Sequence, residues 1–161
     1  VGVGVGEPVA VLWAGHAALP EVGRFAPMTW GRPYMQLWDD LATTRDQRVC
    51  LAGSEVEYLF GEERVTMAVR HLEARNCAVP TKPVPAVMTD YHILLGTHGI
   101  VPVNGALVES FDASAVLDTL ALIKSSVLAD LAPDLRPSRV GLAAPVLRRH
   151  EAMTLTGVTI G

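Results

Sequence analysis

Cysteine is scarce, aromatic side chains are few and basic residues never cluster, and each shortage closes off a class of function. The two cysteines, Cys50 and Cys77, stand too far apart for a zinc ligand pair and too few for a disulfide framework. A reduced, cytoplasmic setting is therefore the default. Aromatics make up only 6% of the chain, so the core is built from valine, alanine and leucine. Charged residues reach 19% against about 25% in ordinary domains, which leaves apolar surface for a partner chain. The 13 lysines and arginines are dispersed, the longest basic run being Arg148-Arg149-His150, and the net charge is −4. A nucleic-acid partner would need a basic face, and none is visible. Long hydrophobic runs are missing too: proline, glycine or charge interrupts every stretch short of the ~18 residues a membrane span demands. No charged segment followed by an apolar stretch opens the chain.

What is present reads as one domain, since 161 residues suffice for a single core but hardly for two. The opening alternation of valine and glycine lacks the preceding strand and following helix that a dinucleotide-binding fingerprint requires. Residues 1–6 therefore form a flexible N-terminal arm and residues 7–161 a single α/β domain. A strand follows at Val9-Ala10-Val11-Leu12-Trp13. Pro33 suits a helix start, and Met35, Leu37, Trp38 and Leu41 recur at helical spacing, predicting a helix over residues 33–42. Residues 48–52 read as a buried strand. Ser54 with Glu57 has the capping-box pattern of a helix start, whereas Val56, Tyr58 and Phe60 alternate like a strand, so this segment carries both signals. Residues 62–76 read as a helix, with Glu62 and Glu63 leading, Val65, Val69 and Leu72 on one face and Arg70, His71 and Arg75 at the end.

The strongest local signal is Asn104-Gly105 between apolar runs, a two-residue hairpin turn joining residues 100–103 to 106–109, with Pro102 implying an edge strand. Two short strands upstream, bent at Thr89 and Asp90, complete a β-meander over about 86–110. Val116, Leu120, Ile123, Val127 and Leu131 then mark a long helix at about 113–132. A linker over 135–145, a short helix over 146–153 and a β-rich run over 154–160 end the chain. The expected fold is α/β in its α+β variant: a mixed sheet whose meander is covered by the helices at 62–76 and 113–132.

No catalytic motif is complete. The sharpest enzymatic pattern takes Cys50 as nucleophile, His98 as its base and Asp90 or Asp112 to orient the ring, because a thiol needs a base or cationic surroundings to ionise at neutral pH. Ser54 lacks the glycine of a nucleophile elbow. The histidines His16, His71, His92, His98 and His150 offer no helical pair three or four apart, so no metal is expected. His98 lies in Gly96-Thr97-His98-Gly99, which reads first as the turn opposite Asn104-Gly105, at an accessible strand end. The function expected is a non-catalytic binding or assembly domain of a soluble bacterial-type protein. It would be homo-oligomeric and without a cofactor, with a small-molecule ligand held near His16, Ser54, His92 and Thr97. The alternative is a small hydrolase or transferase using Cys50 and His98.

Overall fold

Strand Arg48–Ala52 (β4) lies between two antiparallel neighbours. It pairs along its whole length with Arg64–Ala68 (β5), and Val49 pairs with Val108 of Ala106–Glu109 (β9). Ile100–Val103 (β8) closes the far edge, giving the order β5-β4-β9-β8. The computed structural model describes residues 10–19, 27–30, 37, 39–75, 78–81, 88–112 and 141–157. Two smaller antiparallel sheets accompany the first among these residues. Val11–Leu19 (β1) and Met88–Leu95 (β7) form a two-stranded ribbon, while Met28–Trp30 (β2) lies between Leu41–Thr43 (β3) and Ala78–Pro80 (β6). The α-helices described are short, Ser54–Phe60 (α1) and Arg149–Gly157 (α2).

The α/β expectation is thus overturned: the described residues are β-rich, arranged in several antiparallel sheets, with two short helices. The predicted helix at 62–76 shows why. Its first half is β5, and the rest is a 3-10 helix, Val69–Arg75. Val65, Thr66, Met67 and Ala68 are all buried, so the strand is covered on both faces and loses the alternation that would have marked it. Its Val65, Val69 and Leu72 spacing imitates a helical stripe because a strand hands over to a 3-10 turn, where residues three apart share a face. The predicted covering helix at 113–132 lies outside the described residues, as do the arm at 1–6 and most of the predicted helix at 33–42. That last prediction fails where it can be compared, since its end is β3.

The meander is also corrected. The 100–103 and 106–109 hairpin forms with the expected ends, Asn104 and Gly105 both taking positive φ (50° and 87°), and β8 holds Pro102 at the sheet edge. However, residues 88–95 make one unbent strand that pairs with β1 and not with β8. Segment 54–60 resolves as helix. Gly53 and not Ser54 is its N-cap, without a side-chain cap, and Val56, Leu59 and Phe60 turn to the core while Tyr58 is exposed. At the C-terminus, helix α2 occupies most of the run expected to be β-rich.

The core lies on one face of the four-stranded sheet, where Val49, Leu51, Val65, Met67, Ala106 and Val108 meet Met28, Trp30, Val56 and Leu72. Each such side chain contributes about 1.5–3 kcal/mol on full burial. The C-terminal segment completes it: Leu147, Ala152 and Leu155 are buried in the same cluster. Residues 145–147 lie along the free edge of β5, Thr66 donating its N–H to Pro145 O (2.8 Å) and accepting from Leu147 N–H (2.8 Å).

Helix α2 packs on the 3-10 helix, and His71 sits at that contact with its Nδ1 buried and unbonded among the described residues. Burial, then the charges of Arg70 and Arg149, hold its pKa below the ordinary histidine value. Below about pH 6.5 the unfolded chain therefore binds a proton that the folded chain resists. His71 stability is complete above that range and is lost as pH falls through it. Urea unfolding from pH 7.5 to 5.5 should show declining stability, and His71→Gln should flatten the decline; an equal slope in both proteins would refute this.

Candidate functional site

Alternation along the central strands creates a second, polar face. With Val49 and Val108 on the core side, the period of two sends Arg48, Cys50 and Glu109 to the opposite side. There Arg48 Nη1 donates to Glu109 Oε2 at 3.1 Å, and the Glu109 side chain is only 4% exposed. Glu109 Oε1 is buried and accepts no hydrogen bond among the described residues. His98 Nε2 stands 3.7 Å from it.

His98 is held from all sides. Its Nε2 faces Ser110 O at 3.2 Å and its Nδ1 faces Gly141 O at 3.4 Å. Gly99 and Ser110 bond to each other twice, backbone N–H of Ser110 to Gly99 O and backbone N–H of Gly99 to Ser110 Oγ. These bonds extend the hairpin and fix the ring beside Glu109. Each ring nitrogen therefore has a backbone carbonyl to which it can donate, and Nε2 has the Glu109 carboxyl beside it as well. Gln47 Nε2 braces the base of the centre by donating to Glu109 O (3.0 Å) and Arg48 O (3.2 Å). A buried carboxylate beside a histidine can hold, give up and recover a proton away from bulk water.

The residues picked out from sequence are only partly gathered here. Cys50 shares the polar face and His98 joins it, but no hydrogen bond links them among the described residues. The thiol is a free, buried one. Burial raises its pKa, Arg64 lowers it and Glu109 raises it again. His98 is 8% exposed, so it does not occupy the accessible turn expected for it. Asp90 meets a different histidine, its Oδ2 lying 3.4 Å from His92 Nε2. Burial pushes the Asp90 carboxyl pKa up against the opposing pull of His92 and the Tyr91 N–H, and the His92 ring packs edge-on to Phe111 at 5.1 Å. His16 lies on the exposed face of the ribbon against Tyr91. Thr97 is exposed in the turn, and Ser54 lines a shallow hollow beside Tyr58.

An open cavity of about 370 Å³ borders the centre, lined by Gln47, Arg48, His92, Val101, Glu109 and Phe111 among others. Among the described residues no three histidine, cysteine, aspartate or glutamate side chains converge as a metal site, and no helix is long and apolar enough to cross a membrane. Arg48, Glu109 and Ser110 were missed from sequence. Arg48 opens one strand and Glu109 closes another, and nothing local in the chain announces that those two strands pair.

The family model of the Hint domain matches residues 1–115, most of the 161-residue chain. The chain belongs to the Hint domain family, a β-rich fold in keeping with the sheets described above. No curated protein and no solved structure matches it. Arg48, His98, Glu109 and Ser110 all lie within the matched stretch, while Gly141, which faces His98, lies beyond it.

Removing the cation tests whether the pair is coupled. Arg48→Met leaves the Glu109 carboxylate buried with neither oxygen paired to an arginine, and should cost about 1.5–3 kcal/mol of unfolding free energy, the range for hydrogen bonds to charged groups. Denaturant titration showing a loss under about 0.5 kcal/mol would mean the ion pair is incidental, as at an exposed site.

Proposed function

We propose that this Hint domain is self-processing, acting on a peptide bond of its own polypeptide with His98 and Glu109 as the proton-handling pair. The observation that carries the reading is the His98 ring held between backbone carbonyls beside a buried carboxylate oxygen that has no hydrogen-bond partner among the described residues. Structural needs would be met more cheaply by apolar residues, because buried ion pairs are often neutral or unfavourable for stability. A buried carboxylate and a buried imidazole side by side at the border of a cavity are the kind of arrangement functional sites use. Water is the nucleophile in this reading, since the raised pKa and burial of Cys50 keep its thiol protonated. Asp90 belongs to His92 and not to this pair.

Incubating the purified full chain near neutral pH and following its intact mass tests this directly. Fragments should accumulate from the wild type, and Glu109→Gln or His98→Gln should slow their appearance by about 10²-fold or more, the usual contribution of a positioned acid or base. Fragments forming equally fast in both variants, or none from any protein, would sink the reading.

A second reading keeps the domain non-catalytic, as a binding and assembly module. It is favoured by the open cavity beside His92 and by the ribbon, where Tyr91 is 76% and Ile93 37% exposed on one face. Exposed apolar side chains at this spacing suit a second copy of the chain. Solution mass should then exceed the monomer and fall to it in Tyr91→Ser/Ile93→Ser; a wild-type monomer would contradict the assembly.

A further inference from the structure

Helix α2 and the residues leading into it, 144–157, lie wholly beyond the stretch that the family model matches, yet they close the core. Ala144, Leu147, Ala152 and Leu155 are buried. Backbone bonds on both sides of Thr66 tie Pro145 and Leu147 to the outer edge of β5, where Val146 pairs with Thr66 in parallel. Helix α2 then rests on the 3-10 helix Val69–Arg75. At that contact the imidazole of His71 keeps a buried Nδ1 that bonds to nothing among the described residues.

A neutral ring tolerates this place, because one of its nitrogens carries no proton. A doubly protonated ring has a donor on each nitrogen, and the donor on Nδ1 would be buried without an acceptor among the described residues. Burial, then the charges of Arg70 beside it and Arg149 on α2, oppose that second proton. The carboxylates of the two elements are committed elsewhere. Glu73 pairs with Arg45 at 3.5 Å, and Glu151 Oε2 accepts the Arg148 N–H at 2.6 Å. Arg70 is itself paired with Asp46. Of the other elements packed on the 3-10 helix, β6 carries no titratable side chain, and β5 carries Arg64, paired with Glu63 at 3.1 Å. His150 on α2 is exposed.

We propose that residues 144–157 form an acid-released strap: when His71 takes a second proton, helix α2 lifts from the 3-10 helix and frees the outer edge of β5, while the sheet beneath stays folded. The release needs no chemistry at the polar centre and so goes beyond self-processing. Strand β5 keeps its pairing along the whole of β4, so the strap can open as a local unit at less cost than global unfolding. The sign follows from the proton that the seated ring resists. The strap is fully seated above about pH 6.5, where a released histidine is also neutral, and loosens as pH falls below that value. Its opening grows by up to about tenfold per pH unit, the limit for one proton.

Hydrogen exchange of the full chain, read by mass spectrometry at pH 7.5 and 5.5 and corrected for the intrinsic pH dependence of amide exchange, tests this. In the wild type, exchange across residues 145–157 should speed several-fold at the lower pH relative to residues 48–52 of β4, which report global opening. His71→Gln should abolish that relative change. Arg149→Gln, at an exposed position, should shrink it, and His150→Ala should leave it whole. No relative change in the wild type, a change of the same size in His71→Gln, or its loss in His150→Ala would overturn the proposal. Should His71→Gln fail to fold, an undiminished response in Arg149→Gln would overturn it equally.

Discussion

Strand β4 pairs along one whole edge with β5 and at Val49 with β9, its central residues Val49, Cys50 and Leu51 are all buried, and the rest of the structure answers to that constraint. A strand so enclosed must send alternate residues to two buried environments. Val49 and Leu51 face the apolar cluster that draws in helix α1, the 3-10 helix and helix α2. Arg48, which is partly buried, and Cys50 face the other way, and charge drawn out of water is best tolerated when it is paired. Glu109 supplies the pairing because β9 lies against β4 in the register that sets Val49 opposite Val108. A slip of one residue would put valine on the polar face and carboxylate in the core.

The polar centre follows from the same register. Glu109 ends β9, so the chain leaving the sheet places Ser110 beside Gly99 and closes the pocket around His98. Phe111 then bonds through its N–H to Ile93 O of the ribbon, which ties the ribbon to the sheet and brings the Asp90 and His92 pair to the neighbouring cavity. Two histidines that sit six positions apart in sequence thereby end in separate environments, each with its own carboxylate.

Legibility in the sequence tracks how local the controlling interaction is. The Asn104-Gly105 hairpin and strand 48–52 were readable because turn chemistry and a bounded apolar run act within a few residues. Strand β5 was misread because cover on both faces erased its alternation, and helix α1 was ambiguous because a seven-residue helix is too short for its period to outweigh a chance alternation. The candidate site was legible only in part. His98 and Cys50 stand out by residue type, but Arg48 and Glu109 look like ordinary strand ends until β4 and β9 are known to pair. Membership of the Hint family accounts for the β-rich fold, while Gly141, whose carbonyl faces His98, and the segment bonded to Thr66 on β5 lie beyond the matched stretch.

The central claim is that charges are kept on the polar face for chemistry and not for stability. Replacing both partners together, Arg48→Met with Glu109→Leu, measures this most directly, by comparing unfolding free energy and intact mass with the wild type. If the centre is functional, the double variant should be as stable as the wild type or more stable by about 1–4 kcal/mol, and its chain should remain uncut. A double variant that is markedly less stable, or that is processed as fast as the wild type, would contradict the account.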